Sequence, residues 1–156
     1  MDQTQYREAV VANGRKHGFE PVDSYTDGFD QVWKARDEDD TIGPVTLLAT
    51  LVDDADPSPD DVVAIADDFR DVLLTHVDDR RESVTPLGYV VFPVADPDDA
   101  VVDAACSYTV ARRRTNVFPL VYDPAAEALH RHDVPRLKGR GIYRRQAEDT
   151  ERLFDM

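Results

Sequence analysis

Apolar residues recur along this chain in two periods, near 3.6 and near 2, and their alternation predicts its elements. Residues 6–17 place Tyr6, Val10 and Val11 on one stripe, a helix that Gly14 or Gly18 can end. Residues 28–35 set Phe29, Gln31 and Trp33 against Asp30, Val32 and Lys34, the alternation of a half-buried strand. Asp37, Glu38, Asp39 and Asp40 then read as a solvated turn. The β-branched, apolar run 45–52 is an inner strand that pairs back as a hairpin.

The next helix is announced most clearly. Ser58 can cap it, Pro59 suits the first helical position, and Asp60 and Asp61 complement the positive end of the helix dipole. Val62, Ile65, Ala66, Phe69, Val72 and Leu73 form its apolar stripe, with Asp60, Asp67, Asp68 and Asp71 on the opposite face. A charged loop over 78–86 leads to an apolar strand over 87–94, where Pro93 marks a strand end or an edge. Asp96, Pro97, Asp98 and Asp99 open a third helix through Val101, Ala104, Ala105 and Tyr108 that ends near Ala111. Strands over 116–122 and 127–132 follow, joined by a turn at Asp123 and Pro124, and a last amphipathic helix holds Tyr143, Ala147, Thr150, Leu153 and Phe154. Val91-Phe92-Pro93 and Val117-Phe118-Pro119 echo each other as two strands ending in the same turn chemistry. The order α-β-β-α-β-α-β-β-α predicts one α/β domain over residues 1–156, with α+β as the alternative. Its mixed sheet has about five strands with helices packed against it.

Charge changes this picture more than composition does. The 156 residues are 42% hydrophobic, enough for a core, yet 32 acids against 18 bases leave a net charge of −14. Twenty-five of the acids are Asp, and only Lys16, Lys34 and Lys138 among the bases are lysine. That skew resembles the proteins of salt-in haloarchaea, in which a dense carboxylate surface keeps the chain soluble in molar salt. The apolar runs 44–52 and 86–95 fall well short of the roughly 20 residues of a membrane span. The first residues lack the basic and apolar regions of a secretory leader. A cytoplasmic location without membrane contact is therefore expected. Cys106 is alone and reads as a small packed residue.

Against the acidic background one segment is basic. Residues 106–146 hold nine of the bases and three acids. Arginine forks onto phosphate oxygens, so a local basic patch on an acidic body points to nucleic acid or another phosphate-bearing ligand. The candidate contacts are Arg112, Arg113, Arg114, Lys138, Arg140, Arg144 and Arg145, with Tyr143 to stack on a base and Tyr108 or Tyr122 as further platforms. Gly139 and Gly141 would let backbone amides approach a phosphate. The alternative is a protein-interaction or homodimerisation domain, its arginines docking on an acidic face such as that around Asp67 and Asp71.

Other chemistry is weakly announced. Glu20 and Asp30, leading into a strand pair, resemble the first acids of restriction-endonuclease-like domains. The following strand, 45–52, has neither the acid nor the lysine that such a metal site needs, so the resemblance implies a degenerate relative. His130 and His132 lie two apart, on one face of a strand that reads as solvated. The Asp pairs reflect the acidic background. The chain carries no nucleophile elbow, phosphate-binding loop or dinucleotide fingerprint. The expectation is a non-catalytic binding module without cofactor or metal.

Overall fold

In the computed structural model of the chain, the described residues are 1–23, 26–54, 56–76, 84–136 and 140–156, with the backbone alone at Arg140. Among the described residues, four helices and seven strands follow in the order α1 (Gln3–Lys16), β1 (Glu20–Pro21), β2 (Val32–Asp39), β3 (Gly43–Leu51), α2 (Pro59–His76), β4 (Thr85–Pro93), α3 (Asp99–Cys106), β5 (Ala111–Arg112), β6 (Thr115–Asp123), β7 (Ala128–His130) and α4 (Arg140–Leu153). All seven strands join one mixed sheet ordered β1-β2-β3-β4-β6-β5, with β7 also on β6. β3, β4 and β6 run parallel, linked by α2 and α3. The α/β class holds, with two more strands than the pattern predicts.

The helix boundaries follow local chemistry. Ser58 and Asp61 close a reciprocal cap on α2: the Asp61 N–H donates to Ser58 Oγ and the Ser58 N–H to Asp61 Oδ2. At the end of α1, Phe19 N–H bonds Gly14 O and Gly18 N–H bonds Arg15 O, a Schellman ending that requires Gly18 at φ +83°.

The central strands are buried on both faces, and residue parity sorts the core. Leu47, Ala49, Leu87, Tyr89, Phe118 and Leu120 face α1 and α4. Leu48, Val90, Phe92, Val117 and Val121 face α2 and α3. Phe69 and Leu73 of α2 lie so close to β4 that a Cβ on Gly88 would meet them at 3.1–3.3 Å. Each fully buried Leu or Phe in these layers contributes roughly 1.5–3 kcal/mol.

Four expectations are corrected. The hairpin strand runs to Asp39, so Asp37, Glu38 and Asp39 form its end rather than a turn; Asp39 is buried and ion-paired to α4. The third helix stops at Cys106: Ser107 leaves helical geometry at φ −109° and ψ 1°, and the next N–H, that of Tyr108, reaches only to Ala105 O. The two motif echoes differ: Pro93 ends β4, whereas Pro119 lies inside β6. Val117 N–H points outward to Val110 O, so Pro119 faces the same side, in the gap between β5 and β7 where no donor is needed. His132 is not on a solvated strand face: β7 ends at His130, and His132 is buried with a ring nitrogen 2.9 Å from Tyr108 O.

Candidate functional site

β5 and β6 are joined by a two-residue turn. Arg112 pairs with Thr115, and the residues between them, Arg113 and Arg114, both have positive φ, 50° and 62°. That is a type I′ turn, a conformation that favours Asn and Gly. A side chain in the left-handed region costs roughly 1–2 kcal/mol per residue. Arg112, Arg113 and Arg114 are all exposed. Three guanidinium groups are thus displayed at one tip, two of them on a backbone that arginine does not favour.

The turn is held from beneath by Arg70. This residue occupies the apolar stripe of α2 between Ala66 and Leu73, is 1% exposed and makes no ion pair among the described residues. Its Nη1 donates to the carbonyls of Arg112 (3.1 Å) and Thr115 (3.2 Å) and to Thr115 Oγ1 (2.9 Å). Its Nη2 donates to the carbonyls of Thr109 (2.8 Å) and Val110 (2.9 Å). Thr115 Oγ1 in turn donates to Arg112 O at 2.7 Å. A buried cation requires such compensation.

The chain of contacts extends to α2 and α3. The guanidinium carbon of Arg70 lies 5.6 Å from the Tyr108 ring centroid. The Tyr108 hydroxyl donates to Asp67 Oδ1. Burial pushes the Tyr108 hydroxyl pKa up and the bond to Asp67 adds to this, while Arg70 acts against it. Beside this pair, Val63, Asp67, Ala104, Ser107, Tyr108, Thr109 and Arg112 line an open cleft of about 250 Å³. Arg113 reaches across to Asp71 at 2.8 Å, both side chains about half exposed. Arg112 and Arg114 have no side-chain partner among the described residues.

The remaining candidates lie elsewhere. Arg144 and Arg145 stand on α4, across the sheet from α2. Arg145 is buried and bonds Asp149 (2.9 Å) and Asp37 (2.8 Å), with Asp39 at 3.5 Å. Arg144 bonds Asp39 and Glu148. Burial pushes the Asp39 carboxyl up, but the N–H groups of Thr41 and Ile42 and the charges of Arg144 and Arg145 outweigh it and hold it below the usual carboxylate range. Tyr143 is half-buried, edge-on to Phe118, and Tyr122 is buried in a stack with Tyr6 at 3.9 Å between centroids. Gly141 packs on Ile42, which a Cβ there would meet at 2.7 Å. Lys138 and Gly139 fall outside the described residues, as does the Arg140 side chain. Of the predicted contacts, the structure therefore brings Arg112, Arg113 and Arg114 together on one exposed tip, while Arg144 and Arg145 serve an internal network. Arg70 was missed, although a charged residue on an apolar helical stripe was the available signal.

Glu20 and Asp30 are both exposed, and no group of three or more potential metal ligands occurs among the described residues. No described helix is long and apolar enough to cross a membrane. No protein-family model, curated protein sequence or solved structure matches the chain.

Proposed function

We propose that this protein is a non-catalytic binding module whose β5–β6 turn contacts the phosphates of a nucleic acid in a salt-rich cytoplasm. One observation carries the reading: Arg113 and Arg114 occupy consecutive left-handed positions, held there by the buried Arg70. Backbone strain that surrounding structure maintains at an exposed, like-charged tip favours a ligand-binding role over a purely structural one. In molar salt the screening length is only about 3 Å, so long-range attraction contributes little. Direct, bidentate arginine–phosphate contacts are the form of binding that survives.

The competing reading is a docking surface for an acidic protein face or a second copy. It is favoured by the bond Arg113 already makes to a carboxylate, Asp71. Fluorescence anisotropy of labelled single-stranded and duplex oligonucleotides in molar KCl separates the two. The parent is expected to bind saturably, and the variant Arg112→Ala, Arg113→Ala, Arg114→Ala at least tenfold more weakly, since each arginine contact to phosphate contributes to affinity. Failure of the parent to bind, down to the lowest salt at which it stays folded, overturns the nucleic-acid reading. A dimer in light scattering that the triple variant loses supports the competing one.

A further inference from the structure

The cleft beside the turn has a chemistry that phosphate binding does not use. Its lining mixes polar groups with apolar ones, among them Ala104 of α3 and Val63 of α2, one of only two exposed large hydrophobic residues among those described. The Asp67 carboxylate is part of that lining. Its Oδ1 is fixed by the Tyr108 hydroxyl, while its Oδ2 accepts from no group among the described residues. Arg112, the first residue of the basic tip, lines the same cleft. A small ring that carries a hydrogen-bond donor and adjoins an anion complements this set of a carboxylate, an arginine and apolar side chains.

The size narrows the class. About 250 Å³ lies below the range of roughly 300–1,000 Å³ found for drug-sized ligands, which suits a single ring system. The ordering of Asp67 narrows it further. The chain Arg70 to Tyr108 to Asp67 fixes the carboxylate's direction, so that it discriminates by geometry rather than acting as one more surface charge. A fixed carboxylate accepts from an exocyclic amino group, as on cytosine or adenine, and finds no donor in that position on thymine or uracil.

We infer that the cleft receives one unstacked base of a single-stranded nucleic acid, its amino edge donating to Asp67 while the adjoining phosphate lies on Arg112. The inference rests on the reading of the turn as a phosphate contact and adds to it a strand class and a base preference. Duplex nucleic acid, whose bases stay stacked, binds through the turn alone.

The test compares labelled oligo(dC) and oligo(dT) by anisotropy in molar KCl at slightly alkaline pH. The parent is expected to favour oligo(dC) about tenfold, the scale of a specific base-edge contact. Asp67→Asn keeps an acceptor for Tyr108 and is expected to remove the preference while leaving oligo(dT) binding and the melting temperature unchanged. Val63→Phe, at an exposed position, fills the cleft and is expected to do the same without altering any charge. Equal affinity of the parent for both oligomers, or a preference that survives Asp67→Asn, overturns the inference. The turn then still stands as a phosphate contact if the Arg112–Arg114 triple variant weakens both oligomers. Absence of binding to either oligomer by the parent overturns both.

Discussion

Arg70 Nη1 donates to Thr115 Oγ1 at 2.9 Å, joining the middle of α2 to the first residue of β6. Together with four carbonyls, that hydroxyl makes a buried guanidinium the centre of the loop that displays the basic tip. Arg70→Leu removes every one of these donors. With each unsatisfied buried group costing about 1–3 kcal/mol, the variant is expected to lose ~3 kcal/mol or more. Arg70→Lys, with fewer donors, is expected to fall between. Urea unfolding in molar KCl measures both, and a loss below ~1 kcal/mol for Arg70→Leu would show that water replaces the guanidinium.

The β5–β6 turn exchanges stability for display. Replacing Arg113 and Arg114 by Asn and Gly supplies the residues a type I′ turn prefers. Relief of left-handed strain, less an exposed Arg113–Asp71 pair worth about 0–1 kcal/mol, gives an expected gain near 1 kcal/mol. For a chain of this size that is a rise of roughly 2–4 °C in Tm. Oligonucleotide binding is expected to fall in the same variant. A lower Tm would mean that the arginine side chains themselves hold the turn.

Salt is expected to separate the two arginine sets. Arg145→Met removes the guanidinium that the buried Asp149 and Asp39 share; because Arg152 and Arg144 still face the two carboxylates, the expected cost is about 3 kcal/mol, the low end for a broken buried pair. That loss persists in molar KCl, because ions do not reach the pair. Arg113→Ala breaks an exposed pair worth at most ~1 kcal/mol, and its effect disappears in the same salt. Thermal melts of both variants at low and molar KCl check this.

Acid is expected to weaken the fold in two steps. Burial pushes the His132 ring below its ordinary value, more than its bond to Tyr108 O and the nearby Asp133 raise it. With Nε2 donating to Tyr108, Nδ1 has no partner among the described residues, so a second proton would be buried unpaired. The unfolded chain accepts that proton and the folded chain resists it. Stability from this source is complete above about pH 6.5 and falls as pH drops toward the lowered value. Asp37 and Asp39, held below the carboxylate range, contribute above about pH 3.9, and their share is lost as pH falls through their lowered values. In a series of urea midpoints against pH, His132→Gln, which can still donate to Tyr108 O, is expected to remove the first step and keep the second.

Local chemistry was legible in the sequence, and distant chemistry was not. The start of α2 could be read from Ser58, Pro59 and Asp61 because its cap closes within three residues. Asp37 and Asp39 looked like a turn because the cations that answer their charge, Arg144 and Arg145, come more than a hundred residues later. β5 escaped because two residues cannot display a period. Clustered charge located the Arg112–Arg114 tip correctly on the surface. The same clustering enrolled Arg144 and Arg145, since charge counting cannot tell a displayed arginine from one paired with carboxylates on its own helix and on a distant strand. Arg70 stands in plain view as a charge on the apolar stripe of α2, and goes unread because that stripe is complete without it.

The face of the sheet covered by α1 and α4 carries a consequence for synthesis. Tyr6 of α1 donates to Phe154 O at 2.7 Å and Asn13 to Arg152 O at 2.6 Å, so the first helix waits for partners translated 148 and 139 residues after it. While the ribosome is still adding α4, Leu47, Leu87 and Leu120 have only α1 to cover them. α2 and α3, fully translated by then, already close the opposite side. A nascent chain of this design passes through a stage with one apolar sheet face only half covered, the interval in which it depends most on chaperones and on the repulsion between its own carboxylates to avoid aggregation.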